Sequence, residues 1–451
     1  MRVGAGCIDH LVVVMMSGRS FDHYLGALRL VEGRSDVDGL TGFETNPGPS
    51  GEMIRVSCAD ERLTRLASPS SDFIEVRDQW NGGRMDGFVT SYVRRWHSAG
   101  VRLNGRSGAV MGYYTRRSLP LLYALADEFV VCDHWFASAM GSGLANRIAF
   151  HTGECCNIDG LEGEALLRAD KPTPVWELWE RPNARGSRIR WKAYSADYTT
   201  LSLWPGFVLT HRRDHLRSLD DFEHDCREGS LPDVSLLEPP FESADDHPPS
   251  NPRFGQAYLS RVVHAVMRSQ RWMSTAIVVT YDAHGGFYDH VAPPPAPGPT
   301  ASALCDHYGL RVPALVISAW TPRGACVTHR FDHTSILATI AERWDLEKPG
   351  LVRYARSLWD DCFDFQSPPR PAPRLPKVRA PLLGRLFQVE SENGRLLRQV
   401  HGLLDSSLAE PVQSPALRFP RLRPTTYLET RAALGRLGWG PPWSGRWFSS
   451  A

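Results

Sequence analysis

Four short apolar runs divide the chain and predict its central sheet. They are HLVVVMM (10–16), EFVVCDHWF (128–136), TAIVVTYD (275–282) and VPALVIS (312–318). Each run is rich in Val or Ile and is nearly continuous rather than alternating with polar residues. Strands that are buried on both faces show this pattern, because helices cover both sides of the sheet. We therefore expect an α/β fold with a mostly parallel sheet.

Three segments with helical periodicity fall between or after these runs, as a helix-flanked sheet requires. They are SLPLLYALADE (118–128), AYLSRVVHAVMRS (257–269) and HTSILATIAERW (333–344). The order of strands and helices predicts one large α/β domain rather than two separate sheets.

Polar or turn-forming residues follow each apolar run, at 19–23, 141–147, 282–290 and, after a longer loop, 332–333. In open α/β sheets the loops at the carboxyl ends of the strands converge on one crevice, where ligands bind. These four clusters are distant in sequence, but the topology predicts that they share a single pocket.

Less regular segments define the expected domain boundaries. We assign 1–366 to the α/β domain and interpret 34–70 and 183–255 as insertions, which form loops or small subdomains over the rim of the crevice. The segment SPPRPAPRLPKVRAP (367–381) is Pro-rich, which is typical of a stiff, extended linker. The remainder, 382–451, is expected to be a partly helical C-terminal extension.

The end of that extension carries three tryptophans, Trp439, Trp443 and Trp447, within an irregular tail. Exposed aromatic patches are uncommon on soluble proteins. The tail can dock either on its own domain or on a partner, and we favour the first.

Composition and net charge give no support for several classes of function. The chain has 451 residues and a net charge of +1, which gives no electrostatic reason to expect nucleic acid as a partner. No apolar stretch approaches the roughly 20 residues that span a bilayer, and the first apolar run lacks the features of a signal peptide. A cytoplasmic protein with a small-molecule substrate is the expectation, and the oligomeric state stays open.

The nine cysteines are scattered and show neither a CxxC pair nor a zinc-type spacing. Such a set is typical of reduced thiols in a cytosol. We interpret the adjacent pair Cys155 and Cys156 as small buried residues.

The polar clusters lie in longer motifs that resemble a known family. These motifs are MMSGRSFDHYLG (15–26), QWNGGRMDGFV (79–89), MGYYTRRSLPLLYALADEFVVCDHWFAS (111–138), DDHPPSN (245–251), VVTYDAHGGFYDHVAPP (278–294), YGLRVPALVIS (308–318) and FDHTSILATI (331–340). Together they resemble the bacterial phosphoesterase family that includes non-specific phospholipase C and AcpA-type acid phosphatases. The resemblance covers residues 8 to about 365 and implies an α/β/α sandwich of the alkaline-phosphatase type.

The resemblance also implies a mechanism that this chain lacks the groups to perform. Family members use a divalent cation and a hydroxyl nucleophile for phosphoryl transfer. The expected Glu and Asn ligands are replaced by Ser17 and Gly18, the Thr or Ser nucleophile by Gly143, and a Glu ligand by Ala283. Of the five expected side chains only Asp282 is present. We therefore expect no bound metal and no other cofactor.

Ser142 stands next to the lost nucleophile position and is the obvious candidate for a substitute. One residue along the backbone displaces a hydroxyl by about 3.8 Å. Productive catalytic geometry tolerates far less. We do not expect Ser142 to take over that role.

The neighbouring polar residues of the family pattern persist. Asp282 and His284 are candidate acid–base residues, together with His247, although hydrogen bonds that brace their loops explain them equally well. Asp22 and His23 are expected to anchor the first turn. The candidate substrate-binding residues are Arg19, Asn146, Arg147, Asp289, His290, Asp332 and His333.

Each of these substrate-binding candidates has a structural alternative. Asn146 and Arg147 would stabilise an anion at a helix N-terminus, or Arg147 would form a salt bridge with Asp22 or Asp133. Asp289 and His290 would orient their loop, and Asp332 would cap the following helix.

Three functions remain open. The first is a repurposed, metal-independent enzyme that uses His and Asp acid–base chemistry on a small molecule, for which specialised metabolism would be a suitable setting. The second is a phospholipase C-like phosphoric-ester hydrolase with a substitute metal site. The third is a non-catalytic member that acts as a binding or scaffold protein. The sequence favours the first, because polar residues surround the missing ligands.

Overall fold

A computed structural model describes residues 4–60, 68–103, 105–156, 158–161, 163–196, 198–241, 243–298, 303–381, 395–400 and 403. Its strands are β1 (His10–Met16), β2 (Thr45–Pro47), β3 (Met53–Arg55), β4 (Ser57–Cys58), β5 (Gly112–Tyr113), β6 (Val130–Cys132), β7 (Trp191–Ser195), β8 (Leu216–Arg217), β9 (Val234–Glu238), β10 (Thr275–Tyr281), β11 (Ala314–Ser318) and β12 (Cys326–Val327).

The α-helices connect these strands and cover the sheet. They are α1 (Phe21–Tyr24), α2 (Ala27–Leu30), α3 (Phe73–Trp80), α4 (Phe88–Ser98), α5 (Pro120–Glu128), α6 (Gly143–Thr152), α7 (Gly163–Arg168), α8 (Trp176–Trp179), α9 (Arg212–His215), α10 (Leu219–Glu228), α11 (Pro252–Arg268), α12 (His333–Trp344) and α13 (Trp359–Cys362). Helices α5, α10 and α11 pack together in one group, and α6 packs on α12 in another.

The central sheet has eight strands in the order β12-β6-β11-β10-β1-β9-β7-β8. Five of its seven strand pairs are parallel, and β11 runs antiparallel to both of its neighbours. Every residue of β1 and β10 is buried, because helices cover both faces of the sheet. The predicted α/β architecture with a mostly parallel sheet is confirmed.

The pairing register of three central strands fixes where the site lies. Met16 pairs with Tyr281 across β1 and β10, and Val14 pairs with Leu237 across β1 and β9. The residues that follow these strands therefore emerge side by side at one edge of the sheet. That edge is called the strand-end site below.

Two expectations about the strands are wrong. The segment 183–255 is not an insertion, because it contributes β7, β8 and β9 to the central sheet. These strands have two to five residues and lie between Pro-rich and acidic segments, which hides their apolar pattern. The run VPALVIS forms β11, whose antiparallel direction puts its carboxyl end at the opposite edge of the sheet. Arg311, which precedes β11, reaches the strand-end site instead.

Residues 367–381, which we call the C-terminal arm, lie along the domain. The backbone N–H of Val378 donates to Ser260 Oγ of α11 at 3.1 Å, and the N–H of Arg370 donates to the Ala319 carbonyl at 2.7 Å. Residues 395–400 are helical, as predicted for part of the extension, and bury Leu396, Leu397 and Val400. Trp439, Trp443 and Trp447 lie outside the described residues.

The cysteine expectation needs correction, because Cys155 and Cys305 form a disulfide with their Cα atoms 6.0 Å apart. It links the loop after α6 to the loop before β11. Neither spacing nor composition indicated this pair. Disulfides are typical of oxidising compartments, so the cysteines no longer support the predicted cytoplasmic location, which stays a prediction.

Candidate functional site

Asp282 follows β10 and bonds to the residues that follow β1. Its Oδ2 accepts from the Ser17 hydroxyl at 2.8 Å, and its Oδ1 accepts from the Gly18 backbone N–H at 3.0 Å. Gly18 has a φ of 62°, a left-handed conformation that glycine adopts without a steric penalty. The Ser-Gly pair therefore closes the turn by clamping the Asp282 carboxylate.

Arg147, in the second turn of α6, supplies the positive charge beside that carboxylate. Its guanidinium is fully buried, with Nε donating to Asp282 Oδ2 at 2.8 Å and Nη1 donating to Glu238 Oε1 at 3.1 Å. Glu238 ends β9 and also accepts from the backbone and the hydroxyl of Thr200. One buried cation is thus shared by two buried carboxylates, each of which gains an ion-pair partner away from water.

The remaining donors of Arg147 bond to the end of β1. Nη2 lies 3.0 Å from the Met15 carbonyl, 3.2 Å from the Met16 carbonyl and 3.0 Å from Ser17 Oγ. All three guanidinium nitrogens therefore bond to the protein. The alternative of a salt bridge from Arg147 was correct in kind, but the predicted partners Asp22 and Asp133 are wrong.

His284 lies in the interior and cannot act as an acid near neutral pH. Its Nε2 lies 2.7 Å from Gln79 Oε1, and Gln79 in turn donates to the Ser70 carbonyl. The amide oxygen only accepts, so Nε2 carries the ring proton. Burial lowers the pKa of His284 to about 3. The ring is neutral and braces α3 against the loop after β10.

His333 at the start of α12 is hydrogen-bonded through both of its ring nitrogens. Its Nε2 lies 3.0 Å from the Asp282 carbonyl, and its Nδ1 accepts from the indole N–H of Trp135 at 3.3 Å. Burial lowers the pKa of this imidazole, which is therefore neutral. The preceding Asp332 forms a capping box with Ser335 and accepts from the Ser138 hydroxyl, so its carboxylate holds the N-terminus of α12.

His247 differs from these two histidines. Its Nδ1 lies 2.7 Å from the Pro248 carbonyl and therefore carries the proton, which leaves Nε2 with its lone pair. Nε2 has no hydrogen-bond partner within the described ranges. A Cβ built on Gly18 would lie 3.0 Å from the His247 ring. The imidazole thus packs against the position where the family resemblance puts a ligand side chain.

Asn146 and Ser142 organise the loop before α6. Asn146 Oδ1 accepts from the Ala139 N–H at 2.9 Å, and its Nδ2 donates to carbonyls of residues 139, 141 and 142. The Ser142 hydroxyl caps α6 by accepting from the Ala145 N–H. Both side chains serve the loop, and Gly143 is buried at the first helical position.

Comparisons with known proteins identify the family of this chain. The Phosphoesterase family model matches residues 8–347. The chain belongs to this family. Phospholipase C B of Mycobacterium tuberculosis is 30% identical, with 84% of this chain and 82% of that protein covered. Non-specific phospholipase C1 of Arabidopsis thaliana is 29% identical, with coverage of 84% and 75%. These relatives group the chain with the phosphoric-ester hydrolases.

Distant likeness extends to solved structures. A protein of the alkaline phosphatase superfamily from Vibrio parahaemolyticus is 13% identical, with 56% of this chain and 66% of that chain covered and a TM-score of 0.35. The lipoteichoic acid synthase LtaP from Listeria monocytogenes is 8% identical, with coverage of 80% and 77% and a TM-score of 0.40. These two likenesses are too distant to bear on function.

A divalent cation, which the family resemblance implies at the strand-end site, does not fit the residues present. Such an ion needs several oxygen ligands that are free to coordinate. Both Asp282 oxygens already accept hydrogen bonds, and the guanidinium of Arg147 bonds to both Asp282 and Glu238. A second cation beside Arg147 would be repelled.

Elsewhere in the described chain, Asp22, Asp289 and His290 bring three potential ligand atoms close together. A cation is already among them, because Arg311 donates from Nε to Asp289 at 2.8 Å and from Nη2 to Asp22 at 3.1 Å. His290 Nδ1 lies 2.7 Å from Asp22 Oδ2. Asp289 and His290 therefore orient their loop, and the Arg311 cluster does not form a vacant metal site.

Arg19 and His23, behind the strand-end site, bond to each other at 3.1 Å. Arg19 also donates to the Asp246 carbonyl at 2.7 Å, which fixes the segment that carries His247. His23 Nδ1 lies 2.6 Å from the Gly112 carbonyl, so the ring anchors the first turn. Both side chains are buried and hydrogen-bonded to other residues of the protein.

Sequence reasoning missed Glu238, Gln79 and Arg311. Glu238 is a polar residue directly after an apolar segment, the same signal that identified Asp282, but its strand was interpreted as part of an insertion. Gln79 stands first in the QWNGG motif, and Arg311 precedes β11 rather than following it. Of these three residues, only Glu238 could have been found from its position after an apolar segment.

Proposed function

We propose that this phosphoesterase-family protein acts on a small molecule by metal-independent acid–base chemistry, with His247 as the group that accepts and returns a proton. The observation that carries the proposal is the contact set of Arg147, whose guanidinium holds the Asp282 carboxylate that a divalent cation would need as a ligand. The loss of the nucleophile at Gly143 supports the same view, because metal-assisted transfer to a hydroxyl needs both groups.

His247 is the best candidate among the three predicted acid–base residues. The Asp282 carboxylate is bonded on both oxygens, and His284 is fixed by Gln79. His247 is about 8% exposed and presents an unpartnered Nε2. An imidazole with a free lone pair and a fixed tautomer is a suitable general base, and after protonation a general acid.

The other residues of the site have a positioning role in this proposal. Arg147 and Asp282 hold the loop after β10 against the end of β1, and Arg19 holds the backbone beside His247 through the Asp246 carbonyl. The interior of the site is thereby fixed, and only the imidazole at its margin is free to contact a substrate.

The test uses p-nitrophenyl phosphate, bis-p-nitrophenyl phosphate and p-nitrophenyl acetate with protein dialysed against EDTA. We expect any turnover to be unchanged by EDTA or by added Mn²⁺, Zn²⁺ or Ca²⁺, and to fall at least 100-fold in His247→Gln. His264→Gln is the matched control, because it removes a half-buried imidazole of α11 outside the site. Metal-stimulated hydrolysis of the diester would contradict the proposal and support a phospholipase C-like hydrolase with a substitute metal site.

A non-catalytic binding or scaffold role is the second candidate. The observation that favours it is burial, since Asp282, His284 and Arg147 are all at most 2% exposed. This candidate predicts no turnover of any of the three esters, and no difference between the wild type and His247→Gln.

A further inference from the structure

Two adjoining cavities lie between α10, α11 and the C-terminal arm, and none of their lining residues belongs to the strand-end site. The first has a volume of about 440 Å³ and the second about 720 Å³. Arg261, Val378 and Arg379 line both, so one cavity opens beside the other. Together they can hold a ligand with two chemically different parts.

The first cavity is strongly cationic. Arg268 of α11 and Lys377 and Arg379 of the arm line it, and none of these three side chains has an ion-pair or hydrogen-bond partner within the part of the chain that the structure describes. Arg261, by contrast, is paired with Asp220 and Glu223. Three cations without such partners therefore line one cavity, although the net charge of the whole chain is only +1.

The second cavity has an apolar wall. Leu219, Ala244, Phe254, Ala257 and Tyr258 line it, each of them between 5% and 8% exposed. The small exposed part of each of these side chains contributes to the wall of the cavity, and the rest of the side chain is buried. Apolar surface that is left accessible in this way is available for an apolar ligand group.

We propose that these cavities form a binding site for an amphipathic phosphate ester, with its phosphate beside Arg268, Lys377 and Arg379 and its apolar group in the second cavity. A phosphate offers several acceptor oxygens and one to two negative charges, so it can accept from all three cations at once. The site is separate from the strand-end site, and the inference does not depend on the function proposed above.

Isothermal titration of the full-length protein tests the proposal. The probe is dihexanoyl phosphatidic acid below its critical micelle concentration, and the comparison probes are glycerol 3-phosphate, which lacks the chains, and dihexanoyl phosphatidylcholine, which is neutral overall. The variant is Arg268→Ala/Lys377→Ala/Arg379→Ala. The matched control is Arg29→Ala/Arg102→Ala/Arg353→Ala, which removes three exposed charges elsewhere.

We expect saturable binding of the phosphatidic acid, a loss of at least tenfold in the cavity variant, and no more than a twofold change in the control. Weak binding of glycerol 3-phosphate would identify a lipid as the source of the phosphate, whereas equal binding would identify a free phosphate ester and overturn the role of the apolar cavity. Equal losses in both triple variants, or no binding of any phosphate probe, would overturn the proposal.

Discussion

Two buried arginines at the same region of the sheet, Arg147 and Arg311, hold carboxylates in different ways. The Arg147 cluster is closed, because Asp282 is about 1% and Glu238 about 8% exposed in their side chains. The Arg311 cluster reaches water, because His290 is 24% exposed beside Asp22 and Asp289. Only the second cluster contains a group that can exchange protons with solvent.

The difference lies in the kind of positive charge that holds the carboxylates in each cluster. At the strand-end site a permanently charged guanidinium pairs with both carboxylates, so the positive charge there does not depend on pH. In the Arg311 cluster the imidazolium of His290 supplies part of the positive charge, and that charge is lost when the ring is deprotonated. The first cluster is a fixed structural element, and the second responds to pH.

The largest expected effect is that of Arg147→Met. It leaves Asp282 and Glu238 buried without a cation, which costs about 3–5 kcal/mol of unfolding free energy. Urea unfolding measures the loss of unfolding free energy in Arg147→Met and in Arg311→Met. We expect a smaller loss for Arg311→Met, since His290 still neutralises Asp22. Equal losses would show that the two clusters do not differ in this way.

A pH titration separates the clusters next. Burial alone would lower the pKa of His290, but Asp22 and Asp38 outweigh it and raise the pKa to about 10. Because this pKa lies above the unfolded value of about 6.5, protonated His290 stabilises the folded state. That stabilisation is complete below pH 6.5 and is lost as the pH rises through 10. Between pH 7.5 and 10 the loss is about 3 kcal/mol.

The measurement is urea unfolding across that pH range. His290→Gln should flatten the decline, whereas His284→Gln should leave its slope unchanged, because the pKa of His284 is about 3 and the ring does not titrate there. A decline that survives His290→Gln would assign the pH response to other groups.

The smallest expected effect concerns Gly18. Gly18→Ala forces a left-handed residue and adds a methyl group 3.0 Å from the His247 ring. Gly33→Ala is the matched control, because Gly33 has a φ of 74° and open space around it. In urea unfolding, the control should lose about 1 kcal/mol of unfolding free energy and Gly18→Ala about 2 kcal/mol. Identical losses would show that the imidazole does not pack against this turn.

The sequence predicted the centre of the fold better than its edges. Continuous Val and Ile runs identified β1 and β10, because a strand covered on both faces has no polar alternative. The strands β7 (WKAYS) and β9 (VSLLE) include polar residues, so they lack the continuous Val and Ile pattern that identified the other strands. The antiparallel direction of β11 depends on tertiary pairing and has no local signal.

Some members of the site were predictable from the sequence, but their contacts were not. Asp282, Arg147 and His333 do meet, because strand ends converge. The pairing of Arg147 with Asp282 and Glu238 depends on the depth at which α6 packs, and a sequence pattern does not encode that depth. The disulfide between Cys155 and Cys305 was missed for the same reason, since 150 residues separate its cysteines.

Elemental analysis tests the central claim most directly, namely that Asp282, held by Arg147, binds no divalent cation. The protein would be incubated with excess Mn²⁺, Zn²⁺ or Ca²⁺, passed through a desalting column and analysed beside Asp282→Asn. We predict that the wild type retains less than about 0.1 equivalent of metal per protein more than Asp282→Asn does. One equivalent of a divalent ion in the wild type, absent from Asp282→Asn, would contradict the account.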